Sequence, residues 1–176
     1  MQYTVFITLE PYLLQWLIHE CGGETPIKLK KNSAESDIMQ MWLTKPPRRK
    51  EWIPQLKPLE NQVEVIIPCF KKINIRCNYF LPEEGKRQIH ECIKNRFRVQ
   101  LWKELHTIGN VIERTDKTIS DWMEAHGIED NDTNWNTIAK TLQRKRAVYC
   151  PNNRLTNHRS SKHKRKSNFQ IKSQKT

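Results

Sequence analysis

Apolar residues recur at Ile89, Ile93, Phe97, Leu101, Leu105, Ile108 and Ile112, in steps of four or three. That interval holds one face of a 3.6-residue helix for about six turns, and such a face has to be buried. Pro82 with Glu83-Glu84 opens this helix, because proline loses nothing in a first turn and carboxylates favour the positive end of the helix dipole. Gly109-Asn110 is the expected stop. Two shorter helical patterns follow. Ile119, Trp122, Met123 and His126 place one at 118–126, closed by Gly127. Trp135, Ile138, Ala139, Leu142 and Tyr149 share one side of the other, capped by Asp132 or Thr133.

Upstream the period falls to two. Tyr3, Val5, Ile7 and Leu9 alternate with Thr4, Phe6 and Thr8, as in a strand with one face in a core. Pro11 then starts a helix carrying Leu13, Leu14, Leu17, Ile18 and Cys21, which Gly22-Gly23 ends. Ile27 and Leu29 alternate with Lys28 and Lys30, the pattern of an edge strand protected by lysines. Ser33 is the expected N-cap of a helix with Ile38, Met41 and Trp42. Pro46, Pro47, Pro54 and Pro58 leave no regular element between Thr44 and Glu60. Val63, Val65 and Ile67 predict a strand, and Ile73, Ile75 and Cys77 a second one paired with it as a hairpin.

The expected fold class is therefore α+β. Residues 1–80 form a small mixed sheet with two helices, residues 81–150 a three-helix unit, and residues 151–176 a disordered basic tail. A chain of 176 residues with 36% apolar composition suffices for one compact domain or for two small ones sharing a core.

Charge changes the picture at the carboxyl end. The formal net charge is +12, of which residues 151–176 supply eight Lys or Arg and no acid. With few large apolar residues, that segment cannot offset its ordering entropy. Its basic residues, among them Arg154, Arg159, Lys162, Lys164, Arg165 and Lys166, suit phosphate binding through counterion release. The long helix adds Lys86, Arg87, Lys94, Arg96 and Arg98 on its polar side. A solvated charged face is the plain explanation of those five.

The last two helices have the outline of a helix-turn-helix, although Gly127 to Asn134 is longer than the usual turn. If the final helix enters a major groove, Thr133, Asn134, Asn136, Thr137 and Lys140 near its start face base edges, and Arg144, Lys145 and Arg146 meet phosphates. The plain alternative is a helical hairpin closing the core. Trp122 and Trp135 stand at helical spacing beside Ile and Met, which assigns them to the core rather than to base stacking.

Five cysteines, Cys21, Cys69, Cys77, Cys92 and Cys150, are odd in number and irregularly spaced, which suits reduced thiols in the cytoplasm. No basic n-region precedes the first apolar run and no stretch is long enough to span a bilayer, so no membrane role is expected. No cofactor is expected. Cys69, Cys77, His90 and Cys92 lack the paired spacing of zinc ligands. Asp130-Asn131-Asp132-Thr133-Asn134 begins like a calcium loop but has Trp135 where glycine is needed. Ile-His-Glu-Cys occurs at 18–21 and again at 89–92, with different flanks, and is read as coincidence. No nucleotide-binding, hydrolase or metalloprotease motif is present, and the chain is read as non-enzymatic.

These features converge on a small DNA-binding protein, a regulatory or accessory factor of the size and charge that suit a phage or mobile element. Duplex DNA is favoured over RNA as partner, and a homodimer or a protein partner is compatible with the sequence. An RNA-binding component of a ribonucleoprotein and an interaction adaptor with a purely electrostatic tail are the alternatives.

Overall fold

The computed structural model describes residues 2–48, 55–106 and 115–149. Its elements are β1 (Thr4–Thr8), α1 (Pro11–Glu20), β2 (Ile27–Lys28), α2 (Ala34–Trp42), β3 (Gln62–Ile66), α3 (Glu83–Leu105), α4 (Thr115–Ala125) and α5 (Asp132–Tyr149). The class is mixed α and β, as the two periodicities predict. The stop at Gly109-Asn110, the apolar positions Ile108 and Ile112, and the entire tail lie outside the described residues.

The three strands form one mixed sheet in the order β1-β3-β2. β1 runs antiparallel to β3 with Val5 opposite Val65, and β2 runs parallel to β3 with Ile27 opposite Val65. β3 is thus central, and both its edges are taken. This overturns the expected hairpin between 63–67 and 73–77, since a second partner strand has no edge of β3 to join. Residues 71–77 turn instead: the Asn74 carbonyl accepts from the amides of Cys77 and Asn78 at 3.1 and 3.0 Å. The apolar alternation there has another cause, because Ile73 and Ile75 pack half-buried against the edge of the core.

Local signals set the helix ends. Pro11 occupies the first turn of α1, and Gly22 and Gly23 follow its end with φ of 99° and 80°. The Ser33 hydroxyl accepts from the Ser36 amide at 3.2 Å at the start of α2. For α5 the cap is Asn131, one residue before the expected pair: its carbonyl takes the first helical bond from Trp135, and its Oδ1 accepts from the Asn134 amide at 2.8 Å.

The long helix α3 is the hub. Its stripe of Ile89, Ile93, Phe97, Leu101 and Leu105 is buried, and the helix packs on β1, α1, α2 and α5. Phe97 sits edge-on to Tyr12, Trp16 and Trp122, with ring centroids 5.2, 5.4 and 5.7 Å away. Core residues from Val5 to Leu142 belong to one cluster, so residues on either side of position 80 share a single core. Trp122 and Trp135 are both buried in it, where their helical spacing puts them.

Candidate nucleic-acid interface

Polar residues on α3 meet very different surroundings. Lys86 pairs with Glu83 and Arg87 with Glu84, each at i,i+3 on the surface. Lys94 Nζ reaches Glu10 Oε1 at 2.6 Å, and Arg96 Nη1 reaches the buried Glu35 at 2.8 Å. Arg98 differs: among the described residues it has no carboxylate partner, and its Nη1 donates to Asn95 Oδ1 at 3.3 Å. Most of the basic face of α3 is therefore neutralised within the fold, which favours the plain reading for all of its cations except Arg98.

Arg98 borders a shallow cleft of about 280 Å³ between α3 and α5, lined also by Asn95, Thr141, Arg144, Lys145, Val148 and Tyr149. No acid lines it. Arg144 and Lys145 form no ion pair among the described residues, and neither does Lys140, one turn earlier on the exposed side of α5. Three unneutralised cations converge here on two helices. At one end of the cleft the Tyr149 ring packs against Trp102, tilted by 34° with centroids 5.2 Å apart, and Lys145 Nζ lies 5.7 Å from the Tyr149 centroid. Tyr149 remains 60% exposed. The chain continues from Tyr149 directly into Cys150 and the basic segment.

Two of the expected contact residues are not on this surface. Asn134 is buried: its Nδ2 donates to the Glu129 carbonyl at 3.0 Å and to Gln15 Oε1 at 3.3 Å, tying α5 to α1. Arg146 is buried as well, with Nη2 donating to the Leu105 carbonyl at 3.3 Å. Neither side chain can reach nucleic acid without breaking the core. Thr137 is half-buried, and its hydroxyl donates back to the Thr133 carbonyl at 2.8 Å, leaving only oxygen lone pairs to offer. Asn136, Lys140 and Arg144 are exposed along one side of α5 and Lys145 is half-buried beside them. Arg154, Arg159, Lys162, Lys164, Arg165 and Lys166 lie outside the described residues.

This arrangement departs from a recognition helix in one respect. The first turn of α5, which would read base edges, is anchored against α1 through Asn134 and Gln15, while the exposed cations lie in its middle and end. The surface suits phosphates better than bases. The sequence places Arg98 on the basic side of the long helix but reads it as a solvated charge, and it singles out neither Asn95, Thr141 nor the pairing of Trp102 with Tyr149. Their signal was faint: Arg98 and Trp102 are four apart on α3, next to the buried stripe, where side chains border a neighbouring helix.

Other chemistry is sparse. Burial raises the Cys21 and Cys92 thiols above their ordinary range, which makes them poor nucleophiles. Cys69 and Cys77 are exposed and free. No described helix is long and apolar enough to cross a membrane. No protein-family model, curated protein or solved structure matches the chain.

Proposed function

We propose that this protein is a non-enzymatic nucleic-acid-binding protein that grips the phosphate backbone of duplex DNA. The cleft between α3 and α5 orients the contact, and the basic segment after Tyr149 adds sequence-independent affinity. One observation carries the reading: Arg98, Arg144 and Lys145 converge without a carboxylate in a fold that pairs most other cations of α3. Unpaired cations grouped beside a run of eight further positive charges favour a polyanion, whose condensed counterions are released on binding. Free thiols suit a reducing cytoplasm.

The exposure of Tyr149 beside Trp102 supports a second reading, in which an unpaired base of RNA or single-stranded DNA packs on this aromatic pair. Fluorescence anisotropy separates the two. A labelled duplex binds the full chain, and the triple substitution of Arg98, Arg144 and Lys145 by Ala lowers affinity at least about tenfold at low salt. Unchanged affinity would remove the cleft from the proposal. Equal displacement by unlabelled duplex and single-stranded RNA would remove the preference for duplex DNA.

A further inference from the structure

Three helix ends meet at a polar cluster whose residues do not line the cleft. His19 and Glu20 close α1, Glu104 lies in the last turn of α3, and His126 follows α4. Glu104 Oε2 accepts from the Trp122 indole at 2.7 Å and lies 2.8 Å from His126 Nε2. A carboxylate in that position calls for a proton on Nε2, which leaves Nδ1 of the neutral ring as a bare lone pair. Nδ1 is buried and has no hydrogen-bond partner. Glu20 Oε1, which accepts a long hydrogen bond from Gln100 Nε2 at 3.5 Å, stands 3.6 Å from it, beyond hydrogen-bond reach, so with the neutral ring two acceptors face each other. His19 brings a third such atom, and the donor atoms of His19, Glu20 and His126 all lie within 4.8 Å of one another.

A buried acceptor nitrogen opposite a carboxylate is unfavourable unless a proton or a metal ion sits between them, and the third ligand atom, from His19, is what suits a metal ion. We propose that His19, Glu20 and His126 bind one divalent transition-metal ion of the zinc class, with Glu104 orienting His126. Two imidazoles and a carboxylate are a nitrogen and oxygen set that suits zinc and its neighbours rather than calcium or magnesium. Tetrahedral bonds of about 2.0–2.1 Å put ligand atoms about 3.3 Å apart, so the set, now within 4.8 Å, would close by up to about 1.5 Å. His19 is exposed at the end of its helix and can supply that movement. The Glu104–His126 contact is the carboxylate–histidine arrangement that fixes tautomer and ring orientation at metal sites. Gly127 fits the same geometry: its φ is +66°, and a Cβ there would stand 2.8 Å from His19 Cδ2. The ion would clip α1 to the α4–α5 pair and leave a fourth position to water.

The test uses the full, tag-free chain without nucleic acid, so its outcome is independent of the DNA reading. Zinc titrated by calorimetry binds at one ion per chain and, at a hundredfold excess over Kd, raises Tm by about 5–10 °C. His19→Ala and Glu20→Gln each melt near the native chain without metal and lose the rise. Cobalt loading gives a spectrum of nitrogen and oxygen ligands without thiolate charge-transfer absorption, which separates this site from exposed Cys69 and Cys77. A Tm that zinc leaves unmoved, equal binding by the two variants, or a thiolate band each overturns the proposal.

Discussion

The buried guanidinium of Arg146 donates to the carbonyl of Leu105 at 3.3 Å. Leu105 is the last residue of α3, where helical carbonyls run out of partners, so a cation from α5 completes the end of the long helix. Two residues earlier in sequence, Arg144 points into the cleft. Two arginines separated only by Lys145 therefore have opposite expected phenotypes. Arg146→Met keeps much of the apolar stem but removes the donor, and is expected to lower stability by about 1–3 kcal/mol while leaving DNA affinity unchanged where the chain is folded. Arg144→Ala is expected to shift stability by no more than about 0.5 kcal/mol and to weaken binding. Denaturant melts beside anisotropy titrations measure both. Loss of affinity in folded Arg146→Met would count against this division.

The basic segment should dominate the salt response. If six to eight of its charges engage phosphates, removing residues 151–176 makes the slope of log affinity against log salt shallower by about 5 to 7. The cleft substitutions change it by no more than about 3, one per charge removed. Titrations of full and shortened chains across a salt series measure the slope. A slope that does not change on truncation would mean that the tail's charges stay off the duplex.

What the sequence made legible and what it hid follow from range. Strand β1, helix α1, the Ser33 cap and the α3 stripe rest on neighbours within a few positions, and each is where its period puts it. Pairings of distant residues were opaque. Nothing in the order of residues tells that Glu10 will neutralise Lys94, or that β3 will spend both edges on β1 and β2 and leave 73–77 without a partner strand. Arg146 is an intermediate case. It continues the apolar stripe Trp135, Ala139, Leu142 of α5, and that phase marks it as inward-facing, but a charged side chain reads by default as exposed. The proposed metal cluster was not legible: His19 and Glu20 are contiguous but lie in the Ile-His-Glu-Cys match read as coincidence, and His126 and Glu104 come from other helices.

Gly85 marks a close approach. A Cβ built there would lie 2.7 Å from Trp42 Cβ and 2.8 Å from Leu81 Cδ1, because α2 crosses the first turns of α3 at this point. Gly85→Ala gains up to about 1 kcal/mol of helix propensity, but the contact with Trp42 is next to the backbone and cannot swing aside. Net destabilisation of about 1–2 kcal/mol is expected in a chemical melt. A stabilised variant would show that α2 has room to move away.

The strongest acid response is expected at Glu10, just before α1. Burial works against its charged form, but hydrogen bonds from Lys94 and His90, both at 2.6 Å, outweigh that and hold its pKa at about 2, below the ordinary 4.5. A carboxyl whose pKa is depressed on folding stabilises the fold above the unfolded value, and that stability is lost as pH falls from about 4.5 towards 2. Because Glu10 is 36% exposed, solvent screening limits the contribution to about 1 kcal/mol. Melts of the native chain and Glu10→Gln are expected to differ at pH 6 and to converge near pH 2. The substitution removes the charge that ties α1 to α3, so the gap between the two curves isolates this cluster from the general acid destabilisation of the other carboxylates. Parallel curves across the whole range would place the acid sensitivity elsewhere in the fold.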